Sequence, residues 1–515
     1  MKKKKSPLPA ILLALLVVVV ILAAVLVIRT ATYPFAKTPA QSHVQPVRHH
    51  PTVQSLERLA GGIRIPTVSS EVDRETDNPF VRFKEYLRES YPIVYARMDT
   101  LTINKYGLLF HWKGSDPSLE PILFCSHYDV VPVVGYEPVS TPADSVIFQP
   151  NDTPAPPLDH FSTRWDYPPF SGDVVEGRVY GRGTLDMKGM LFGIMEAADT
   201  LLKEGFTPQR DIWFAFGFDE EIGGTEGALK IAEYFREKGL SFAAVYDEGG
   251  IVAAPGLGGI SIPMALVGTA EKGFCTIRID VRGTGGHSSM PPAKGSLVQA
   301  AEIIEKLNTH QIPALMTTPV SAFLKNVGGT MGYASRLAIA NQWLLGGVLT
   351  RKLSETPATN ALIRTTTAVT MAKGSDAANV LSSVSEIVVN FRILPGETVA
   401  DVENHVKNIC EGYDTDITVL SAREPSKTSG TDTRGFQMIR ESISRLYPDA
   451  RVTPYLTIGG TDAYKYQTVS NDIYRFMPVY LNEYEQRTIH NENEFISLEN
   501  FGNMIEHFRY IMAGF

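Results

Sequence analysis

Ile212-Trp213-Phe214-Ala215-Phe216-Gly217-Phe218-Asp219-Glu220-Glu221-Ile222-Gly223-Gly224 is an apolar run that ends abruptly in three acids and two glycines. A short apolar run bounded by turn residues reads as a strand buried on both faces. Three adjacent carboxylates at its end are expensive unless solvent or a cation receives them. A helical pattern from Thr225 to Lys238 follows at once, so the unit reads strand, acidic turn, helix.

The same unit recurs on either side. Ile122 to Cys125 and Ala243 to Tyr246 are further predicted buried strands, and Met187 to Glu204 is a predicted helix. Strand followed by helix, repeated, predicts an α/β fold: a catalytic domain on a mainly parallel sheet with helices on both faces. Ligands in such sheets collect at the carboxyl ends of the strands. From about Lys272 the pattern changes. Phe274-Cys275-Thr276-Ile277-Arg278-Ile279-Asp280-Val281 and Glu386-Ile387-Val388-Val389-Asn390-Phe391-Arg392-Ile393 alternate as half-exposed strands do, with a helix predicted from Leu297 to Leu307. We read an inserted, smaller α+β domain here. The expected domains are an anchor over residues 1–29, a tether over 30–52, a catalytic domain over 53–270 and 421–515, and the insert over 271–420.

The first thirty residues differ from the rest. Lys2 to Lys5 precede Ala10 to Ile28, which holds no charged or polar residue and reaches the roughly 20 residues that cross a bilayer as a helix. Arg29 closes it. A secretory signal has a shorter apolar core, about 7 to 15 residues, and a small-residue cleavage site that Thr30-Ala31-Thr32 does not supply. The positive-inside rule keeps the lysines cytoplasmic, which predicts an N-terminal transmembrane helix and a single-pass protein. Its catalytic domain is then exported, to a periplasm, the extracellular space or a vacuolar lumen. Pro34, Pro39, Pro46 and Pro51 mark the tether. Residues 136–160, rich in Pro, Asp and Thr, read as a surface loop.

Composition narrows the chemistry. The 515 residues are 44% hydrophobic and 20% charged, enough for a large core, and the net charge of −8 argues against a nucleic-acid binder. Three cysteines, Cys125, Cys275 and Cys410, are too few and too scattered for a disulfide framework or a thiolate metal site. A metal would be held by His and carboxylates. Ser126-His127-Tyr128-Asp129, Gly181-Arg182-Gly183-Thr184-Leu185-Asp186, Asp219-Glu220-Glu221 and Tyr246-Asp247-Glu248-Gly249 each put such groups at a strand end or in a glycine-lined turn. In extended backbone residues two apart point the same way, so Asp129 can hydrogen-bond the far ring nitrogen of a metal-bound His127.

Together, His127-x-Asp129, Gly181-Arg182-Gly183-x-x-Asp186-x-Lys188-Gly189, Asp219-Glu220-Glu221-x-Gly223-Gly224 and Asp247-Glu248-Gly249 resemble the co-catalytic dizinc aminoacylase and carboxypeptidase family, over nearly all of the chain from Val53. Trp165-x-x-Pro168-Pro169-Phe170-Ser171-Gly172, Asn390-Phe391-Arg392-x-x-Pro395-Gly396, Gly459-Gly460-Thr461-Asp462 and Ile489-His490-x-x-Asn493-Glu494 fit its carboxypeptidase S and N-acyl amino acid hydrolase branch. The resemblance implies that His127 and Asp247 hold one metal, Glu221 and His490 the other, and that Asp186 bridges them. Strand alternation admits only one of Asp247 and Glu248 and leaves the choice open; likeness to the carboxypeptidase S branch favours Asp247. Glu220 would be the general base and Asp129 the partner of His127. Two divalent cations would then be balanced by Asp186, Glu221, Asp247 and a shared hydroxide.

The family's insert is a lid and dimerisation domain, so a homodimer is expected, with His287 in Gly283-Thr284-Gly285-Gly286-His287 as oxyanion donor. Arg392 and the Gly459-Gly460 turn are candidates for clamping a substrate carboxylate, a surface salt bridge being the plain alternative for Arg392. Met187 stands where many members carry a second Asp after the bridging one. The expected function is a dizinc hydrolase in which hydroxide attacks an amide bond beside a free carboxylate, in a short peptide or an N-acyl amino acid. Zinc is the expected metal, two ions per subunit, with cobalt or manganese as substitutes. The alternatives are a deacylase of a non-peptide amide and a silent binding protein on the same fold, the second opposed by the intact ligand set and Glu220.

Overall fold

The computed structural model describes residues 8–36, 49–134, 146–150, 164–256 and 260–515. Lys2 to Lys5, most of the expected tether and most of the 136–160 loop lie outside the described residues. The chain forms two compact units, one of residues 39–276, 395–403 and 419–515, the other of residues 1–38, 277–394 and 404–418.

The larger unit is built on an eight-stranded sheet. Its order is Asp99–Ile103, Gly107–Trp112, Ile212–Gly217, Ile122–His127, Ala244–Ala253, Ile473–Leu481, Met264–Glu271 and Arg451–Thr457. The four strands from Ile212–Gly217 to Ile473–Leu481 run parallel, as do the last two with each other. Antiparallel pairs occur at the first edge and where Met264–Glu271 meets Ile473–Leu481 and Ala244–Ala253. Ile122–His127 and Ile212–Gly217 are buried at every position, which is why they read as unbroken apolar runs.

Helices cover both faces. On one, Leu123, Cys125, Trp213, Ala215 and Val245 pack with Ile231 and Phe235 of helix Ala228–Glu237 and with Tyr466. On the other, the Phe124 and Phe508 rings meet edge to face at 5.8 Å, Phe508 lying on helix Leu498–Gly514. Helix Lys188–Lys203 is buried nearly all round, and its inward Glu196 and Asp199 are both met by Arg58 Nη1 at 3.0 Å.

In the smaller unit the sheet order is Thr366–Lys373, Val384–Ile393, Gly273–Arg282 and Thr415–Arg423. Along Gly273–Arg282 buried and half-buried residues alternate, the period expected of a sheet covered on one face. Helices Ser296–Thr309, Thr318–Gly328, Tyr333–Ala340 and Gln342–Leu353 accompany it. So does the N-terminal helix Leu8–Thr32, whose window Ile11–Thr32 is long and apolar enough to cross a membrane. That helix runs past Arg29, so residues 30–32 are helical where the sequence suggests a tether.

His507 tests the larger core. It is buried beside Phe508, and its Nδ1 lies 2.9 Å from Ser442 Oγ. Burial pushes its pKa down to about 3, against an ordinary 6.5. The unfolded chain therefore takes up the proton first: the stabilisation is full above pH 6.5 and drains away as pH falls toward 3. Thermal melts of wild type should lose stability over that range by up to about 1.4 kcal/mol per pH unit from this group. His507→Gln should remove that share of the slope.

Candidate functional site

Asp186, Glu221 and His490 lie in the turns between elements, and Glu248 sits within strand Ala244–Ala253. His127 closes strand Ile122–His127 and is buried. Its Nδ1 lies 3.1 Å from the Asp129 carbonyl oxygen and 3.2 Å from Asp129 Oδ1. Two acceptors there hold the ring proton on Nδ1 and leave the Nε2 lone pair facing Asp186 Oδ1 at 3.1 Å and Glu248 Oε1 at 3.5 Å. Asp186 turns its other oxygen to His490 Nε2 at 2.9 Å, and Glu221 Oε1 lies 3.2 Å from the same nitrogen. Two donor groups result, His127–Asp186–Glu248 and Asp186–Glu221–His490, with Asp186 common to both.

The turn after Ile212–Gly217 presents Glu220 and Glu221. Asp129 accepts both their backbone N–H groups at 3.1 Å and the Ser69 hydroxyl at 3.0 Å, so one buried carboxylate ties His127 to this turn. Asp219 accepts from the N–H groups of Glu226 and Gly227 at 2.8 Å each. Gly224 closes the turn with a φ of 60°, and a Cβ there would overlap the Asp462 carboxylate and the Lys465 ammonium paired beside it.

Glu494, four residues past His490, accepts N–H groups from Gly183 and Leu185 at 2.9 Å and from Asp186 at 3.2 Å, while Arg182 Nη1 meets its second oxygen at 2.7 Å. It is fully buried. This fastening of the Asp186 turn was not drawn from the sequence, although the run Ile489-His490-x-x-Asn493-Glu494 carried its signal.

The sequence expectation favours Asp247 over Glu248, and the donor geometry distinguishes the two. Asp247 is not in either donor group; Glu248 is. Asp247 shares its strand face with Val245 of the apolar cluster that holds Leu123 and Cys125, and its Oδ1 accepts the Glu248 N–H at 2.9 Å. Burial, reinforced by Asp462, raises its pKa to about 7. Gly459 and Gly460 line a cavity of about 450 Å³ together with Asp186, Glu220, Glu248 and His490. His287 and Arg392 belong to the smaller unit, His287 exposed on the short strand Gly286–His287 and Arg392 exposed on Val384–Ile393.

The electrostatics point to cations. Burial pushes the Glu248 carboxyl up to about 8, overcoming the attraction of His127 and adding to the repulsion from Asp186. Burial and then Glu248 hold Glu220 well above the ordinary carboxylate range. His490 rises to about 10, first through its hydrogen bond with Asp186 and then through Glu221. Four carboxylates and two imidazoles thus compete for too few protons. Divalent cations would relieve all six, and nitrogen and oxygen donors without thiolate suit zinc or similar ions. The residues fit a metal pair.

The fold and the donor set agree with comparisons to known proteins. The family model described as peptidase family M20/M25/M40 matches residues 156–513. An N-fatty-acyl-amino acid synthase/hydrolase PM20D1 from Xenopus tropicalis is 34% identical over 483 residues, 92% of this chain and 89% of that protein. A probable carboxypeptidase S-like 2 from Dictyostelium discoideum is 32% identical, covering 94% of this chain and 89% of the relative. Among solved structures, an M20 family metallo-carboxypeptidase, Sso-CP2 from Sulfolobus solfataricus, superposes with a TM-score of 0.61 at 18% identity, covering 89% of this chain and 98% of its own, a likeness of fold. By coverage and identity the chain belongs to peptidase family M20/M25/M40, as a metallopeptidase or amidohydrolase in the branch of its carboxypeptidase S-like and PM20D1 members.

Proposed function

We propose that this protein is a membrane-anchored dizinc hydrolase of amide bonds beside a free carboxylate, with N-acyl amino acids bearing an apolar acyl group as its leading substrates and short peptides cut at the C-terminus as the second class. The observation that carries the reading is the pair of donor groups sharing Asp186, opening with Glu220 onto one cavity. Leu185, Ile251, Leu266, Ile458, Met477 and Ile489 also line that cavity, an apolar wall that favours an acyl chain over a charged peptide. Relatives named as N-fatty-acyl-amino acid hydrolases support the same choice.

His127 and Glu248 would hold one ion, Glu221 and His490 the other, with Asp186 between. When bound, the ions would supply a water of lowered pKa and polarise the scissile carbonyl. Glu220, whose backbone Asp129 fixes, takes the proton of the attacking water and delivers it to the departing amine nitrogen. Asp129 keeps the His127 proton on Nδ1. The bare backbone of Gly459 and Gly460 on the cavity wall would receive the substrate carboxylate. His287 as oxyanion donor, Arg392 as clamp, and a homodimer through the smaller unit as lid are carried by the family resemblance. The apolar helix Leu8–Thr32 would anchor the chain, with the lysines cytoplasmic and the rest exported.

Three measurements test this. Glu220→Gln should lower kcat by about 10²- to 10⁴-fold on N-acyl amino acids while keeping its metal; equal activity removes Glu220 from the role. Elemental analysis of purified variants should show metal lost from Glu248→Gln and retained by Asp247→Asn, the reverse result restoring Asp247 as ligand. Dialysis against a chelator should abolish hydrolysis and zinc should restore it, whereas activity that survives chelation refutes the metal requirement.

A further inference from the structure

The helices that receive the N-terminal anchor carry a second apolar surface. Along Leu8–Thr32 most side chains are exposed, but Leu22 and Leu26 are half covered and Thr30 is buried, one face at a spacing of four. Asn341 covers it: its Nδ2 donates to the Thr30 hydroxyl at 3.0 Å and to the Leu26 carbonyl at 3.2 Å. Just beyond, Phe35 packs against Gly328, and the Arg336 guanidinium sits 5.5 Å from the Phe35 ring centre. The end of the apolar helix is thus fastened to Thr318–Gly328 and Tyr333–Ala340 by buried polar bonds and a ring contact.

Asn341 immediately precedes helix Gln342–Leu353. On that helix Trp343, Leu344 and Val348 are 56%, 45% and 64% exposed, forming with Gly347 a stripe at spacings of three to five. Arg351 and Lys352 continue the stripe one turn later, Lys352 pairing with Glu355 at 2.6 Å. Tyr333 adds a further aromatic, 57% exposed. From Ile312 to Ser354 the sequence has Lys325, Arg336, Arg351 and Lys352 and no Asp or Glu, in a chain of net charge −8.

We propose that helix Gln342–Leu353 lies in the polar boundary of the bilayer that Leu8–Thr32 crosses, its Trp343, Leu344 and Val348 inserted among the acyl chains and its basic residues facing anionic headgroups. The 22-residue window Ile11–Thr32, apolar up to Ile28, spans about 33 Å at 1.5 Å per residue, close to the hydrocarbon thickness of a membrane. Asn341 bonds the last turn of that span, so the helix beginning at Gln342 starts where the chain leaves the hydrocarbon. Tryptophan at that level, an apolar stripe and a basic end are what an interfacial helix needs. This inference rests on the anchoring part of the proposed function and is independent of the hydrolytic chemistry.

The test uses the full chain in nanodiscs of phosphatidylcholine and phosphatidylglycerol, with and without brominated acyl chains. Co-elution of protein with the discs checks the anchor first, and a chain that stays outside them overturns both readings. The emission difference between wild type and Trp343→Phe isolates Trp343. Brominated lipid should quench most of that component, and aqueous acrylamide should quench little of it. Quenching by acrylamide alone would place Trp343 in water, and quenching by neither would place it under protein, such as a second copy of the chain; each overturns the proposal.

Discussion

Buried carboxylates that repel one another, held at fixed positions by backbone N–H groups, are the constraint on which the site depends. Glu220, Glu221, Glu248 and Asp186 converge about the imidazoles of His127 and His490. Such an arrangement survives only if other bonds prevent the side chains from turning away. Asp129, Asp219 and Glu494 supply those bonds, each as a largely desolvated acid satisfied by N–H groups. The energy of folding is thereby spent on orienting groups that would separate in water, which is the preorganisation a cation and a transition state both exploit.

Much of this was legible because strand-end chemistry leaves a local mark. An apolar run halted by acids and glycines needs no tertiary knowledge to be suspicious, and four such runs in order identify a family. Asp247 and Glu248 mark the limit. Alternation says that adjacent residues face opposite ways, but which face holds the site depends on pairing with Ile122–His127, and that register joins residues more than a hundred positions apart. Glu494 stood in the Ile489-to-Glu494 motif, but its role was hidden for a related reason: its partners are backbone N–H groups of a distant turn, which a sequence displays identically at every position. The Thr30–Asn341 contact, across more than three hundred residues, had no local mark.

The two units divide the work along chemical lines. In the larger unit the carboxylates of the site share one cavity with Leu185, Ile251, Leu266, Ile458, Met477 and Ile489 and with the polar Thr457, Thr461 and Gln486. The smaller unit gathers the apolar helix, its polar fastening at Asn341 and the exposed stripe beyond it. A substrate with a fatty acyl group and a charged head would be soluble in the surroundings of both.

The Glu494 fastening has a consequence for synthesis. The loop from Ile489 to Glu494 brings His490 and also clamps the Gly183 to Asp186 turn, so the ligand set is incomplete until both lie on the folded sheet. On the proposed ligand set, a chain that ends before this loop would hold the sheet's acids without His490 or the clamp on the Asp186 turn. A hydrolase built on that ligand set would gain its chemistry only as the last stretch of chain settles onto the sheet.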